Sequence, residues 1–320
     1  RFNYPSKYEP FTLLCICSSY FRERSGGDNL KLVTVPEMVA MDRRTIAGGF
    51  VPGLELREIA GRCLTSILFE EFKVETYGRI AIVCGKGNNG GDGYVIADCF
   101  LNDGFGVTII SSCAFSELRG AVLHFAKEVK GRVTFTLDSC SITPTKNSLI
   151  VDALLGTGFQ GEVRPQHQEL IHLINANPAT VISVDIPSGL NGDSGESSPV
   201  SVCADLTVTI AAPKQGLFLN DALEQCGQLR LAEISIPKFL IDEVPSELQA
   251  VFANDLPFLS KRRQRNSHKK TFGSVLIFAG SKASSGAAQF ASLGALRSGC
   301  GYVSFVQHET RDIQHLPLSL

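Results

Sequence analysis

Hydrophobic side chains between residues 35 and 72 recur every three or four positions, which is the spacing of an amphipathic helix. The segment GGFVPG at residues 48–53 interrupts this spacing with glycine and proline, two residues that favour turns. The pattern therefore predicts two consecutive helices, one on each side of this segment.

Beyond residue 79 the pattern changes to short, uninterrupted apolar runs, which are typical of strands buried on both faces of a parallel sheet. Segments with helical spacing separate these runs, so the alternation predicts an α/β fold with a mostly parallel sheet and right-handed crossovers. A last strand-like run, GQLRLAEISIP, closes the unit near Pro237. The predicted strands are residues 80–83, 107–110, 149–151, 181–184 and 206–210, and the predicted helices are residues 94–101, 116–129 and 166–174.

A second strand–helix–strand pattern begins at residue 274 with SVLIFAG and ends with YVSFV. It is too short for an ordinary α/β domain, so we interpret it as the start of one. The residues before it show no regular period and include the basic run KRRQRNSHKK, for which a solvated linker is favoured over a nucleic-acid contact. The predicted boundaries are a tail at 1–31, a first domain at 32–238, a linker at 239–267 and the second piece at 268–320.

Composition and charge limit the classes of function. Hydrophobic residues make up 44% of the chain, charged residues 19%, and the net charge is −2, which fits a soluble globular protein without nucleic-acid partners. The apolar run at residues 11–21 is too short to span a bilayer, so no membrane partner is expected. None of the ten cysteines forms a C-x-x-C motif, and Cys84, Cys99 and Cys203 lie in apolar runs. These cysteines indicate small buried side chains in a reducing compartment, and hence a cytoplasmic location.

Three glycine-rich polar loops follow predicted strands. They are GKGNNGGDG at residues 85–93, VDALLGTGFQGEVRP at 151–165 and VDIPSGLNGDSG at 184–195. In open parallel sheets, ligands bind beyond the carboxyl ends of the strands, where connections diverge to opposite faces. The three loops therefore predict one shared site.

The first loop has the properties of an anion cradle. It holds five glycines, but neither a closing G-K-[ST] nor the G-x-G-x-x-G spacing is present. Exposed backbone N–H groups, and a helix predicted to begin near Asp92 or Gly93, suit a phosphate. Asn88 and Asn89 supply amide donors for phosphates or sugar hydroxyls, and amide oxygens for a cation. Asp92 is the predicted N-cap of the helix.

Two aspartates end neighbouring strands, Asp152 before LLGTGFQGE and Asp185 in VDIPSG. Either one alone is nearly as consistent with capping a turn, but the presence of both on adjacent loops favours a shared site. Oxygen ligands at low charge suit a hard, weakly held cation better than zinc. Because no G-x-S-x-G or H-E-x-x-H motif is present, acid–base chemistry falls to an aspartate. His124, His167 and His172 are predicted to be surface or packing residues on helices.

Four segments occur in collinear order across residues 32–238: GKGNNGGDGYVIA, VDALLGTGFQGEV, VISVDIPSGLNGDSG and ADLTVTIAAPKQGLFL. Together they resemble the NAD(P)H-hydrate epimerase family, also called the YjeF N-terminal domain family. The resemblance implies a Rossmann-like three-layer α/β/α fold. It also implies a small-molecule substrate, NADH or NADPH hydrated at nicotinamide C6 (NADHX or NADPHX). A homodimer or higher homo-oligomer would interconvert the R and S forms of this substrate.

The piece that begins at SHKKTFGSVLIFAG resembles the start of the ADP- or ATP-dependent NAD(P)H-hydrate dehydratase, a ribokinase-like α/β domain. The two families are often fused, epimerase first, in one bifunctional repair protein. Here the resemblance stops before the dehydratase family's nucleotide-binding glycine loop and catalytic aspartate. We therefore expect dehydration of the S hydrate with ADP or ATP only from a longer chain.

The resemblance also implies roles for residues of the predicted site. It places a potassium ion at Asn89, Asp152 and Ser188. Epimerisation would proceed by hydroxide loss from C6 and water addition to the other face, with Asp185, or Asp152 as the second choice, passing the proton. The residues implied in dinucleotide binding are Asn88, Asn89, Gly90, Gly91 and Asp92, then Gly156, Thr157, Gly158, Phe159, Gln160, Gly161 and Glu162, and Asp185.

Some features leave room for other interpretations. Lys86, Arg164 and Lys214 are candidate phosphate ligands, although each alone is more consistent with a solvated charge. Some relatives carry a basic residue where Gln160 stands, so a catalytic role for that residue is not transferable. A catalytically silent scaffold on the same fold would be free to lose the acids, which are all present here. An ordinary Rossmann dehydrogenase would need the G-x-G-x-x-G spacing, which is absent.

Overall fold

The structure, a computed structural model, describes residues 30–137, 147–245, 248–250, 263–280 and 286–306. It contains two compact units, Arg1–Leu256 and Pro257–Leu320. The apolar run at 11–21, and all but the last two residues of the predicted tail, lie outside the described residues.

The strands and helices of the first unit confirm the predicted α/β alternation. Short 3-10 helices lie at Val74–Thr76, Phe115–Glu117 and Gln215–Phe218. In chain order the other elements are β1 (Leu30–Lys31), α1 (Val35–Ala47), α2 (Gly53–Glu71), β2 (Arg79–Cys84), α3 (Asn88–Asn102), β3 (Val107–Ser111), α4 (Gly120–Val129), β4 (Thr134–Thr136), β5 (Ser148–Ala153), α5 (Pro165–Asn175), β6 (Thr180–Val184), β7 (Leu206–Ile210), α6 (Ala222–Gln225), β8 (Gln228–Ala232), α7 (Lys238–Asp242) and β9 (Gln249–Ala250).

The central sheet has seven strands in the order β4-β3-β2-β5-β6-β7-β8, and every neighbouring pair is parallel. From β2 the chain moves outward through β3 to β4, and it then returns to place β5 on the other side of β2. Connections leave in opposite directions at this point, which opens a crevice at the carboxyl ends of β2 and β5. The register sets Asp152 of β5 beside Val83 of β2 at this end.

Helices cover both faces of the sheet, which gives the predicted three layers. On one face, Leu64 of α2 and Phe100 of α3 share a core with Ile82 of β2. On the other face, Ile171 of α5 shares a core with Val83 of β2. Successive side chains of a strand point to opposite faces, so a strand buried on both faces needs apolar residues at adjacent positions, such as Ile82 and Val83. Each such buried side chain contributes about 1.5–3 kcal/mol to folding.

Helix α1 begins with a capping box. The backbone N of Glu37 donates to Thr34 Oγ1 at 3.3 Å, and the backbone N of Thr34 donates to Glu37 Oε2 at 2.7 Å. These two bonds satisfy N–H groups at the helix start and so fix its first turn. The helix then buries Met38 and Met41 in a core that α7 completes.

Residues 238–250 belong to the first unit, although the sequence predicts a linker from residue 239. Leu240 of α7 and Val244 are buried in the core beside α1. Strand β9 pairs antiparallel with β1, so that Ala250 faces Leu30. Both elements are too short to show a hydrophobic period, which explains why the pattern did not predict them.

The second unit contains the predicted strand–helix–strand pattern. Strand β10 (Ser274–Phe278) pairs in parallel with β11 (Tyr302–Val306), and α8 (Gly286–Arg297) connects them. A 3-10 helix at Lys269–Phe272 precedes β10. Arg263, in the basic run, stacks over the Phe272 ring at 4.2 Å and donates to a backbone oxygen of the same unit.

The cysteines that the structure describes are free thiols. Cys84 is buried and Cys99 is half-buried, but Cys203 is exposed, contrary to the prediction. Cys203 lies in the loop before β7, where its Sγ donates to Gln225 Oε1 at 2.6 Å. Within the described ranges, no helix combines the length and the apolar character that a membrane span requires.

Candidate active site

A cleft of about 500 Å³ lies at the carboxyl ends of the central strands, at the reversal in strand order. This volume is typical of small-molecule sites. All three glycine-rich loops contribute to its lining, so the predicted shared site is present. The predicted residues that line it are Asn88, Asn89, Asp92, Gly156, Thr157, Gly158, Phe159, Gln160, Glu162 and Asp185, whereas Gly90, Gly91, Asp152, Gly161 and Ser188 do not line it.

The helix after β2 begins at Asn88, about one turn earlier than the sequence predicts. Its N-cap is Gly87, which has no capping side chain, so the prediction that Asp92 is the N-cap is wrong. Asparagine and glycine have low helix propensity, and for this reason the first turn reads as a loop. The positive end of the helix dipole and its free N–H groups therefore lie at Asn88–Gly90, beside the cleft.

Part of the glycine pattern serves packing inside the protein rather than contact with a ligand. A Cβ on Gly90 would lie 1.9 Å from the backbone oxygen of Gly85. A Cβ on Gly93 would lie 2.7 Å from the Cβ of Ala153. These close approaches let α3 press against the ends of β2 and β5, which brings its N-terminus to the cleft.

Asp185 and Lys214 form a buried ion pair at one end of the cleft. Asp185 has φ of 67°, a left-handed conformation that is uncommon outside glycine and that clusters at functional sites. Its Oδ1 accepts from Lys214 Nζ at 2.5 Å and from the backbone N of Ile210 at 3.0 Å. Lys214 is 1% exposed, and its Nζ also donates to Ile210 O at 2.9 Å. The interpretation of Lys214 as a solvated charge is therefore wrong.

Asp92, in the second turn of α3, is buried in the same end of the cleft. Its Oδ1 accepts no hydrogen bond from any residue that the structure describes. Burial is the main cause that raises the pKa of Asp92 to about 8. Arg57 and Lys214 lower this pKa, whereas Asp185 and Asp42 raise it, each by less than burial does.

Asp152 lies behind the cleft, where its carboxylate is held by serines. Its Oδ1 accepts from Ser188 Oγ at 2.5 Å, and its Oδ2 accepts from Ser183 Oγ and from the backbone N of Ser188, each at 2.9 Å. Burial raises the pKa of Asp152, and the hydrogen bonds from Ser188 lower it. Asn89 Nδ2 donates to Leu155 O at 2.8 Å, and Ser188 Oγ lies 3.2 Å from the same oxygen. Asn89, Asp152 and Ser188 are thus brought together.

The other end of the cleft is basic. Lys86 follows β2, and Arg164 and His167 lie at the start of α5. Burial lowers the pKa of His167, and the nearby charges of Arg164 and Lys86 lower it further, so these three groups lie close to one another. His167, which the sequence predicts to be a surface or packing residue, is half-buried and lines the cleft.

Comparison with known proteins identifies the family. Residues 53–216, slightly more than half of the chain, match the family described as YjeF-related protein N-terminus. The chain belongs to this family. A solved structure, that of the yeast protein ynu0, YNL200c, superposes with a TM-score of 0.60 at 21% identity, and the match covers 69% of this chain and 96% of the yeast chain. This likeness supports the fold.

Longer relatives match the YjeF-related chain over most of its length. The bifunctional NAD(P)H-hydrate repair enzyme Nnr of Coxiella burnetii is 35% identical over 239 residues, covering 75% of this chain and 48% of the relative. The Nnr of Methanothermobacter thermautotrophicus is 39% identical over 263 residues, covering 79% and 48%. That of Salinibacter ruber is 31% identical over 297 residues, covering 87% and 55%. The chain spans about half the length of the curated relatives it matches.

One wall of the cleft in this YjeF-related domain comes from α1 and α2, which sequence reasoning did not assign to the site. Met38, Asp42 and Ile46 of α1 line it, as does Arg57 of α2. Burial raises the pKa of Asp42, and the charges of Lys214 and Arg57 lower it. The sequence holds a signal for this wall, since Asp42 interrupts an apolar stripe with a spacing of four residues from Met38 to Ile46.

Proposed function

We propose that this chain is an NAD(P)H-hydrate epimerase, which interconverts the R and S forms of NADHX and NADPHX at nicotinamide C6. The observation that carries the proposal is the convergence of three glycine-rich loops on one cleft, which holds a cluster of carboxyl groups around Asp92 and a separate group of basic side chains around His167. Membership of the YjeF-related family and similarity to the bifunctional repair enzymes support it.

The exposed basic group of Lys86 and Arg164 suggests how the dinucleotide lies. The phosphates extend toward Lys86 and Arg164 and toward the N-terminus of α3 at Asn88, because free N–H groups and cations bind anions. The hydrated nicotinamide ring then lies at the opposite end, near Asp92 and Asp185. This placement gives the exposed basic residues a role in binding and the buried acids a role in the reaction.

The reaction at C6 needs proton transfer. Hydroxide leaves C6 readily only when it is protonated, and the lone pair of the ring nitrogen stabilises the resulting iminium. Water then adds to the opposite face of the ring and inverts the centre. Asp185 lines the cleft and is the proposed carrier of the proton. Asp152, the second choice from the sequence, does not line the cleft, so it is not proposed as the proton carrier.

Asn89, Asp152 and Ser188 are the proposed ligands of a potassium ion. Asp152 supplies one carboxylate, and Asn89, Ser188 and the Leu155 carbonyl supply neutral oxygens, a set that suits a hard monovalent cation. The buried carboxylate also fits a cation, because burial alone disfavours its charge. A bound ion would supply positive charge beneath the loop at Gly156–Glu162, where the same proposal places dinucleotide-binding contacts.

The proposal extends to the full-length protein. The β10–α8–β11 unit and the length of the relatives support a following dehydratase domain that uses ADP or ATP on S-NAD(P)HX. The epimerase domain in this proposal runs from residue 30 to residue 250, because β1 and β9 pair with each other. The proposed enzyme acts in the cytoplasm as a homodimer or higher homo-oligomer.

The test is direct. Chemically prepared R and S forms of NADPHX are mixed with the chain, and the two stereoisomers are separated and quantified over time. We expect exchange faster than the spontaneous rate, and slower exchange with Asp185→Asn. The exposed residue Asp103, at the C-terminal end of α3, offers a control, and Asp103→Asn should keep the full rate. Exchange at the spontaneous rate with the intact chain would leave only a scaffold role.

A further inference from the structure

Asp92 is a buried acid that the surrounding residues leave unpaired. Its side chain faces the cleft, yet Oδ1 accepts no hydrogen bond within the described residues. Buried polar atoms nearly always have partners, and a carboxylate, which only accepts, would need donors in this position. A protonated carboxyl has its own O–H to donate into the cleft, so an unpaired Asp92 is consistent with the neutral acid.

The charges around Asp92 come from four elements. Asp42 lies on α1, Arg57 on α2, Asp185 after β6 and Lys214 after β7. Two of these groups are negative and two are positive, and the ammonium of Lys214 is already engaged by Asp185 at 2.5 Å. Burial therefore decides the protonation state, and the pKa of about 8 keeps Asp92 protonated at neutral pH.

Asp185 differs from Asp92 in its partners. Its Oδ1 accepts from an ammonium and from a backbone N–H, and these groups can only donate. These two donors therefore fix Asp185 Oδ1 as a hydrogen-bond acceptor at the cleft. Two acids in one cleft, one with an unpaired buried oxygen and one that accepts from an ammonium and a backbone N–H, have the contrasting surroundings from which a general acid and a general base are assigned.

We propose that Asp92 is the general acid of the epimerisation and that Asp185 is its partner base, an inference that rests on the proposed function. Asp92 gives its proton to the hydroxyl on C6. The C6–O bond breaks with both electrons moving to oxygen, water leaves, and the nitrogen lone pair forms the C6=N1 double bond. Water then attacks the other face, the π pair returns to nitrogen, and the surplus proton passes to Asp185. Exchange with solvent returns a proton to Asp92 and removes one from Asp185.

The pH dependence of the rate separates this role from a structural one. The acid is active only while protonated, so kcat/KM of the intact chain should fall as pH rises through about 8. Asp92→Asn keeps the shape of the side chain but has no proton to transfer. We expect its rate to be lower by about 100- to 1,000-fold, with the descending limb near pH 8 absent. Asp103→Asn should retain both the rate and the limb.

Infrared difference spectra between the intact chain and Asp92→Asn give a second measurement that needs no turnover. A protonated-carboxyl band assigned to Asp92 should be present at pH 7 and should disappear as pH rises through about 8. If the intact chain accelerates exchange but Asp92→Asn keeps a rate within threefold, or if the band is absent, the assignment of Asp92 is wrong and the epimerase proposal stands. If the intact chain accelerates nothing, both proposals fail.

Discussion

The ammonium of Lys214 lies 2.5 Å from the carboxylate of Asp185, and only 1% of the lysine side chain is exposed. β6 and β7 are neighbours in the sheet, and the turns after them bring the two residues together. Because both charges are removed from water, each depends on the other for its stability. The pair lies at the edge of the cleft, where Asp185 adopts a left-handed conformation.

Replacing Lys214 with methionine should lower the free energy of unfolding by about 3–5 kcal/mol, because the Asp185 carboxylate is left buried without its partner. Urea unfolding measures this loss. The exposed pair Arg44–Glu243, in which each side chain is 53% exposed, provides the control. Arg44→Met should cost at most about 1 kcal/mol. Equal losses in the two variants would contradict the importance of burial in the Lys214–Asp185 pair.

The sequence predicts the sheet well because its strands are continuous apolar runs. Ile82 and Val83 enter cores on opposite faces, so the run itself reports burial on both sides. Strand β4 and the β1–β9 pair were not predicted, since two or three residues cannot show a period. The start of α3 was also missed, because the contact between Gly90 and Gly85 depends on tertiary structure and not on helix propensity.

The candidate site also has features that the sequence predicts and features that depend on tertiary structure. The three loops could be placed at one edge from the strand pattern, because parallel strands end together. The burial of Lys214 and the isolation of Asp92 could not be predicted, since both depend on which strands and helices are neighbours. Asp42 and Arg57 were missed because α1 and α2 precede the first strand of the central sheet, so no strand-end argument reaches them.

Gly90→Ala should destabilise the protein by about 1–3 kcal/mol, because the new Cβ would overlap the backbone oxygen of Gly85 at 1.9 Å. Alanine is the better helix former, so a loss of stability reports the overlap and not propensity. Gly91 is the matched control, since a Cβ there has its nearest neighbour at 3.7 Å. Urea unfolding should show Gly91→Ala to be at least as stable as the parent. A Gly90→Ala variant of equal stability would contradict the packing role of Gly90.

Exchanging potassium for a large organic cation at constant ionic strength should lower the midpoint of thermal unfolding, because an ion that binds only the folded state stabilises it. Asn89→Ala should weaken this response, since Asn89 offers one of the proposed ligands beside Leu155. Asn102→Ala, on the same helix but at the exposed end, should keep the response. A midpoint that does not change with potassium would oppose the ion site.

Arg164→Gln should raise KM for NADPHX by about tenfold with little change in kcat, because a phosphate contact made equally in ground state and transition state affects binding alone. Lys86→Gln should also raise KM, because the charges of Lys86 and Arg164 both lie near His167. The exposed Lys127 of α4 is the control, and Lys127→Gln should leave KM unchanged. A fall in kcat with an unchanged KM would contradict the placement of the phosphates at this end.

The raised pKa of Asp92 should make stability fall as pH rises. In the unfolded chain this carboxyl loses its proton near pH 4, whereas in the folded protein it keeps the proton to about pH 8. Between these values the folded state binds more protons, so the free energy of unfolding decreases by up to about 1.4 kcal/mol per pH unit.

Asp92→Asn removes this titrating proton. Burial also raises the pKa values of Asp42 and Asp152, which remain in the variant. The difference in unfolding free energy between the intact chain and the variant therefore reports the contribution of Asp92 alone. Urea unfolding from pH 5 to pH 9 should show the unfolding free energy of the intact chain falling relative to that of the variant up to about pH 8 and then levelling. Asp103→Asn should give a difference that does not change with pH. A constant difference for Asp92→Asn as well would mean that Asp92 is ionised in the folded protein, and its unpaired Oδ1 would then require a donor from solvent.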